Sequence, residues 1–235
     1  MFLEVETHCH TIASGHAYST LEEVVAQAKK KGMKAVTFTE HAPAMPGGPN
    51  IYHIINQQVI PEEIDGVRIY KGVEANIMDY EGNLDIEDEV LERLDLVIAS
   101  LHGICIEPGT EEENTNALIK AMENGHVDII GHPGNPQFPV DIEKVVKKAV
   151  ETGTLIEINN SSFLSSRKGS CENCREFADM CNKLGAKIAC GSDAHISFDV
   201  GRCDRSQEVL ESVGFNKDLI VNLNFERFKK YFFEK

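Results

Sequence analysis

Long hydrophobic runs are missing from this chain. Its apolar stretches have the length of short strands, well below the roughly 18 residues that a membrane span needs. A basic start leading into an apolar stretch and a small-residue cleavage site is also missing, so a cytoplasmic protein with no membrane partner is expected. Positive charge is scarce: 23 Lys and Arg face 38 Asp and Glu, for a formal net charge of −15. Phosphate backbones are gripped by Lys and Arg clusters, so nucleic acid is not expected as a partner. The seven cysteines are odd in number and scattered, and disulfides are not expected in a cytosolic chain. Cys171 and Cys174 have no second Cys pair at zinc-ribbon spacing, and Cys181 follows on the same expected helix, which favours a reduced, partly buried set. No composition break, linker or internal repeat divides the 235 residues, so a single domain over 1–235 is expected, long enough for a large core.

What is present is an alternation of strand-like and helix-like segments. Thr20 and Glu23 have capping-box spacing before the apolar stripe Leu21, Val24, Val25 and Ala28, and Gly32 is a stop signal. Further helices are expected over 85–94, 111–124, 141–152, 172–184, 206–213 and 224–233, with the Pro- and Gly-rich stretch 43–50 as a loop. The acidic string from Asp85 to Glu92 reads as a solvated helix face. The strand runs are β-branched and nearly continuous in hydrophobicity, as strands covered on both faces should be. Seven such strands, usually with a helix after each, predict an α/β fold: a closed or nearly closed (β/α)7 barrel, with an open doubly wound sheet as the alternative.

Several strands end in a histidine or a carboxylate. The runs beginning at Val5, Val36, Leu96 and Val127 close on His8 and His10, His41, His102 and His132. Val67 to Val73 delivers Glu74, and the run from Lys187 closes on Asp193 and His195. His16 stands in a short loop after His10, where Gly15 lets the chain turn back. In a barrel of parallel strands every C-terminal end meets at one mouth, so these side chains would converge there. Seven of nine histidines sit in this pattern; His53 and His126 lie outside it. A single histidine is more often a satisfied polar group than a ligand, but unrelated histidines would not keep choosing strand ends. Imidazoles with a few carboxylates and no thiolate suit an open catalytic site for Zn, Fe, Mn or Co. Nine ligands exceed what one tetrahedral ion takes, so two or three ions are implied, with Glu74 placed to bridge.

The segments His8-Cys9-His10 with His16, Thr39-Glu40-His41, Glu74, Ser100-Leu101-His102-Gly103, Gly131-His132-Pro133 and Gly191-Ser192-Asp193-Ala194-His195 resemble the PHP (polymerase and histidinol phosphatase) family. The likeness is closest to its compact YcdX-type phosphatases and covers essentially the whole chain. Glu40 stands where many members carry Asp, outside the ligand set. The resemblance implies a distorted (β/α)7, TIM-like barrel holding three divalent ions, zinc foremost, with manganese or iron known in relatives. It implies one ion on His8, His10, Glu74 and Asp193, a second on Glu74, His102 and His132, and a third on His16, His41 and His195. The implied activity is hydrolysis of small phosphate monoesters by a metal-activated hydroxide, with Asp193, Glu74 and His195 as the catalytic side chains.

No serine–histidine–acid arrangement is recognisable beside Ser14, Ser100 or Ser192. Asn160 and Arg167 follow the sixth strand and are the candidates for gripping a small phosphorylated substrate; Arg202 is as readily a surface charge. A histidinol-phosphate phosphatase is the first alternative, although such relatives tend to be longer. A nuclease of the same family should bring a basic groove, and a non-catalytic metal or phosphate sensor should lack turnover. Homo-oligomer formation is left open.

Overall fold

The computed structural model describes residues 1–164 and 167–234. Seven parallel strands run in the order β1 (Val5–Glu6), β2 (Ala35–His41), β4 (Val67–Asn76), β5 (Leu96–Ser100), β6 (Ile129–Ile130), β7 (Leu155–Glu157) and β8 (Ile188–Ala189). A short β3 (Glu63–Ile64) pairs antiparallel with β4. The turn between them is Asp65-Gly66, both at positive φ (55° and 83°), which is the Asp-Gly hairpin signal that the strand assignment from sequence passed over.

β8 and β1 share no ladder, yet the seam between them is joined. The Asp193 amide donates to the His8 carbonyl at 2.8 Å, and the His10 amide to the Ala194 carbonyl at 2.9 Å. Lower down, the Asn222 side chain fills the gap, accepting from the Cys190 amide at 3.0 Å and donating to the Val5 and Cys190 carbonyls at 3.0 and 2.8 Å. The fold is the distorted (β/α)7 barrel expected, not the open doubly wound sheet.

The period-two geometry of strands divides the core into two apolar clusters. Val97 and Ala99 of β5 face the helices, while Leu96 and Ile98 face the barrel interior with Val5, Ala35, Tyr70, Ile129, Leu155 and Phe228. Helices α1 (Leu21–Lys30), α4 (Glu111–Glu123), α5 (Ile142–Thr152), α6 (Ser170–Leu184) and α7 (Asp204–Ser212) lie close to the expected spans. The expected Thr20–Glu23 capping box is formed. α8 (Phe225–Phe232) closes the barrel floor, its buried Phe228 ring 5.3 Å from Tyr70.

Two short helices depart from expectation. α2 (Ile51–Ile55) had no sequence assignment, and α3 spans only Asp88–Leu91 where 85–94 was expected. The cause is Asp85, which is not part of a solvated face. Its carboxylate turns inward and accepts from the Asn76 amide and side chain at 2.8 and 2.7 Å and from the Ala44 amide at 2.9 Å. All seven cysteines are unpaired, and Cys9, Cys174, Cys181, Cys190 and Cys203 are buried. Among the described residues no helix is long and apolar enough to cross a membrane.

Candidate metal centre

The interior face that is apolar at the floor becomes polar at the C-terminal ends of the strands. Glu74 stands at the centre of this end, almost fully buried. Its Oε2 lies 2.8 Å from His41 Nδ1, 3.4 Å from His8 Nε2 and 3.5 Å from His10 Nε2. Its Oε1 lies 2.9 Å from His132 Nε2 and 3.3 Å from His102 Nε2, and accepts a bond from Ser100 Oγ at 2.8 Å. Asp193 Oδ1 is 3.3 Å from His10 Nε2, 3.6 Å from His8 Nε2 and 3.5 Å from His195 Nδ1. His16 and His195 approach through their Nε2 atoms at 3.0 Å. The nine side chains singled out from the sequence therefore meet in one place.

Three groups among them have ligand atoms all within 4.8 Å of one another: His8, His10 and Asp193; His41, Glu74 and His102; and His10, His41 and His195. His10 and His41 each belong to two groups, so they stand between neighbouring positions. Five buried atoms here, His8 Nε2, His10 Nε2, both ring nitrogens of His41 and Glu74 Oε2, make no hydrogen bond. An unsatisfied buried polar atom costs about 1–3 kcal/mol, so five in one cluster call for a ligand. Neutral imidazole and carboxylate are donors of the kind zinc, iron and manganese take.

The chain matches the PHP domain model over residues 6–232. It belongs to the PHP family. A protein of Acetivibrio thermocellus named probable phosphatase is 57% identical over 227 residues, covering 97% of this chain and 94% of that one. Another so named, from Thermoanaerobacter sp. strain X514, is 53% identical over 236 residues, covering 100% and 96%. Among solved structures, a histidinol phosphate phosphatase from Lactococcus lactis, in complex with zinc, L-histidinol and phosphate, aligns with a TM-score of 0.63 at 19% identity. The alignment covers 90% of this chain and 94% of that one. A chain of archaeal ribonuclease P with mature tRNA aligns at the same TM-score of 0.63 with 13% identity over 98% of this chain and 93% of that one. Both are likenesses of fold.

Around the PHP cluster further groups orient three of the imidazoles, as partners of metal-binding histidines commonly do. His8 Nδ1 meets Glu157 Oε1 at 2.7 Å, so Nε2 points inward. His102 Nδ1 meets Asn76 Oδ1 at 2.7 Å, and Asn76 is in turn held by Asp85. His10 Nδ1 lies 3.3 Å from Ser14 Oγ, which donates to Glu40 at 2.6 Å. The buried Glu6 accepts from the amides of Thr7, His8, Ser192 and Gly201 and from Ser192 Oγ, tying β1 to the Asp193 loop. Glu157, Glu6 and Asn76 were not among the residues selected from the sequence. Glu157 and Glu6 carried the signal that revealed Glu74: a lone carboxylate inside a short buried run.

Electrostatics shows what the cluster lacks. Burial alone would raise the Glu74 carboxyl, but His8, His102 and His41 hold it well below the usual carboxylate range. Asp193 is likewise pushed up by burial and drawn well below by His8 and Arg167. Burial pulls His8 down, yet Glu157, Glu74 and Asp193 together lift it well above the ordinary imidazole value. Burial takes His132 down to about 4 and also lowers His10 well below its usual value, with His41 adding to it. The carboxylates therefore stay ionised at a spot where His10, His16 and His132 resist protonation.

The two expected substrate contacts separate. Arg167 lines the cavity of about 470 Å³ at the mouth. Its guanidinium donates to Asp193 Oδ2 and, at 3.2 Å, to Asn159 Oδ1, while its buried Nε has no partner. Asn160 is a correction: it is buried and turned away. Its Oδ1 accepts from the Arg205 and Ser206 amides at 2.9 and 3.2 Å, so it caps α7 in place of binding substrate. Arg202 pairs with Asp199 and Asp204 at the surface. His53 lies on α2, and His126 sits 4.0 Å from Glu92, both outside the cluster.

Proposed function

We propose that this PHP protein is a metal-dependent phosphatase that hydrolyses small phosphate monoesters at a three-ion centre. The observation that carries the reading is the set of five buried ligand atoms, clustered on and around Glu74, that make no hydrogen bond. His8, His10, Glu74 and Asp193 would hold one ion, Glu74, His102 and His132 a second, and His16, His41 and His195 a third. When bound, such ions supply Lewis acidity and a water acidified towards neutrality. Zinc is the first candidate, with manganese or iron next.

The chain's own groups do the rest. Arg167, anchored by Asp193 and Asn159, presents a buried donor without an acceptor to the cavity, suited to a phosphoryl oxygen. Glu157 and Asn76 keep His8 and His102 in the orientation that faces their Nε2 inward. His16 and His195 are the ligands closest to solvent, and His195, its side chain 30% exposed, stands where a leaving group departs. The relatives named probable phosphatase support the activity.

The test is metal analysis of the purified protein together with a substrate panel: p-nitrophenyl phosphate, bis-p-nitrophenyl phosphate and histidinol phosphate. About three transition-metal ions per chain and a monoester preference are expected. One ion or none, or a diester preference, would overturn the assignment. Glu74→Ala should be inactive and keep about one ion per chain, because two nearby cations need a shared carboxylate to offset their repulsion. Full metal retention with only a lower rate would show that Glu74 does not bridge.

A further inference from the structure

Four apolar side chains from four separate segments meet at the mouth of the metal site. Tyr18, Met45, Leu164 and Ile196 line the same cavity as His16, His195 and Arg167. Tyr18 is 78% and Leu164 51% exposed. Single exposed apolar residues are ordinary, but these are gathered around a centre that is otherwise all imidazole and carboxylate.

Their backbones are pinned although the Tyr18 and Leu164 side chains are exposed. The Tyr18 amide donates to the His195 carbonyl at 2.8 Å, and the Ser197 amide, next to Ile196, to Ser19 Oγ at 2.9 Å. The Leu164 amide donates to the Ser161 carbonyl at 3.0 Å and the Met45 amide to the Ala42 carbonyl at 3.1 Å. The loop carrying Met45 is pressed against the one carrying His16: a Cβ at Gly15 would fall 2.3 Å from the Gly47 carbonyl oxygen. A ligand meeting this rim would find it already ordered, which reduces the entropy cost of binding.

The polar content of the cavity is as telling. Among its described lining residues Arg167 is the one Lys or Arg, and Asp193 already engages it. The rim acid Asp199 is paired with Arg202 at 3.3 Å. Ser161 donates to the Ser192 carbonyl at 3.0 Å. A leaving group rich in hydroxyls would lose its water here without gaining partners, and a second phosphate would find no further cation among the described lining of this cavity.

Resting on the phosphatase reading above, we infer that the site selects monophosphates of uncharged aromatic alcohols over sugar, polyol and bisphosphate esters. The phosphoryl group lies towards Arg167 and the histidines, and the leaving group's ring lies between Tyr18 and Leu164, with Met45 and Ile196 as its floor. Tyr18 and Leu164 are the specificity-determining residues.

The experiment compares 2-phenylethyl phosphate with glycerol 1-phosphate, both esters of aliphatic hydroxyls, as substrates of the metal-loaded protein. It also compares phenylphosphonate with methylphosphonate as ligands measured by calorimetry. Wild type should favour the aromatic member of each pair by about ten-fold or more, the scale of one ring face buried on an aromatic and an aliphatic neighbour. Tyr18→Ala should remove most of that ratio, mainly through KM and through phenylphosphonate affinity, whereas Tyr18→Phe should keep it. A wild-type enzyme that hydrolyses both esters equally, or prefers the glycerol ester, overturns this inference and leaves the phosphatase standing. A ratio that survives Tyr18→Ala removes Tyr18 from the role. Failure to hydrolyse any monoester overturns the phosphatase reading itself.

Discussion

At the scale of single residues, the site is built from groups held in states they would not choose in water. His132 and Asp193 carry positive φ, 32° and 53°, a region that non-glycine residues enter at a cost and that tends to be kept where a side chain must be aimed. His132 also shows how burial keeps an imidazole neutral, the form in which it can bind a metal. The consequence is measurable in chelator-stripped protein. In the unfolded chain His132 takes a proton near 6.5, but in the fold it does so only near about 4. Between these values the unfolded state binds more protons, so stability falls as pH drops from about 6.5 to about 4 and loses nothing further to this group below that. The shift corresponds to something on the order of 3 kcal/mol. His8, raised in the fold, adds an opposite slope only at the upper edge of that window, where the unfolded imidazole still titrates, whereas His10 and His16, lowered like His132, add to it. Thermal melts at pH 6.5, 5.5 and 4.5 should therefore show a shallower decline for His132→Asn, whose shorter polar side chain tolerates the same backbone, than for wild type. Parallel declines would mean that His132 is protonated in the folded apo-protein.

At the scale of elements, close packing of strand ends decides whether those groups meet. Gly191 follows β8 and has no room for a side chain: a Cβ there would fall 2.0 Å from Glu157 Oε1 and 2.8 Å from His8 Cβ. Gly191→Ala must push both aside and break the bond that orients His8. Overpacking of this kind costs about 1–3 kcal/mol of stability, and loss of the orienting carboxylate should weaken metal binding by about 10- to 100-fold. Competition with a chromogenic chelator would measure it, and wild-type affinity in Gly191→Ala would show that β8 yields without disturbing His8. The helices were legible in the sequence because capping and amphipathic spacing are local, and the ligands were legible because strand ends repeat. Three features were not. β1, β6 and β8 are laddered over only two residues each, since beyond them the chain bends into the site and its amides bond side chains, as the His132 amide does with Glu157. Glu157 and His8 are 149 positions apart, so nothing near either one announces the pair. Asn160 carried the composition of a phosphate grip but serves the α7 N-terminus, a choice made by tertiary packing.

At the scale of the whole molecule, the two ends of the barrel are assigned to different tasks. The floor is apolar, with Phe228 of α8 packed on Tyr70, and the mouth holds the charged groups. Fold alone does not say what enters that mouth, because a chain bound in an assembly with tRNA shares the architecture as closely as a histidinol phosphate phosphatase does. Charge separates the options. The chain carries −15 overall; Arg167 of the mouth is paired with Asp193, and Arg175, Arg202 and Arg205 are matched with Glu172, with Asp199 and Asp204, and with Glu208. A nucleic-acid strand needs a continuous row of free cations, and its affinity falls steeply with salt as counterions return. A small monoester needs only the pocket. Single-stranded DNA should therefore fail to inhibit hydrolysis of p-nitrophenyl phosphate even at low ionic strength, and the hydrolysis rate should change little as salt is raised. Inhibition by micromolar DNA that is relieved by salt would reveal a phosphate-tracking groove and move this protein to the nucleic-acid side of its family.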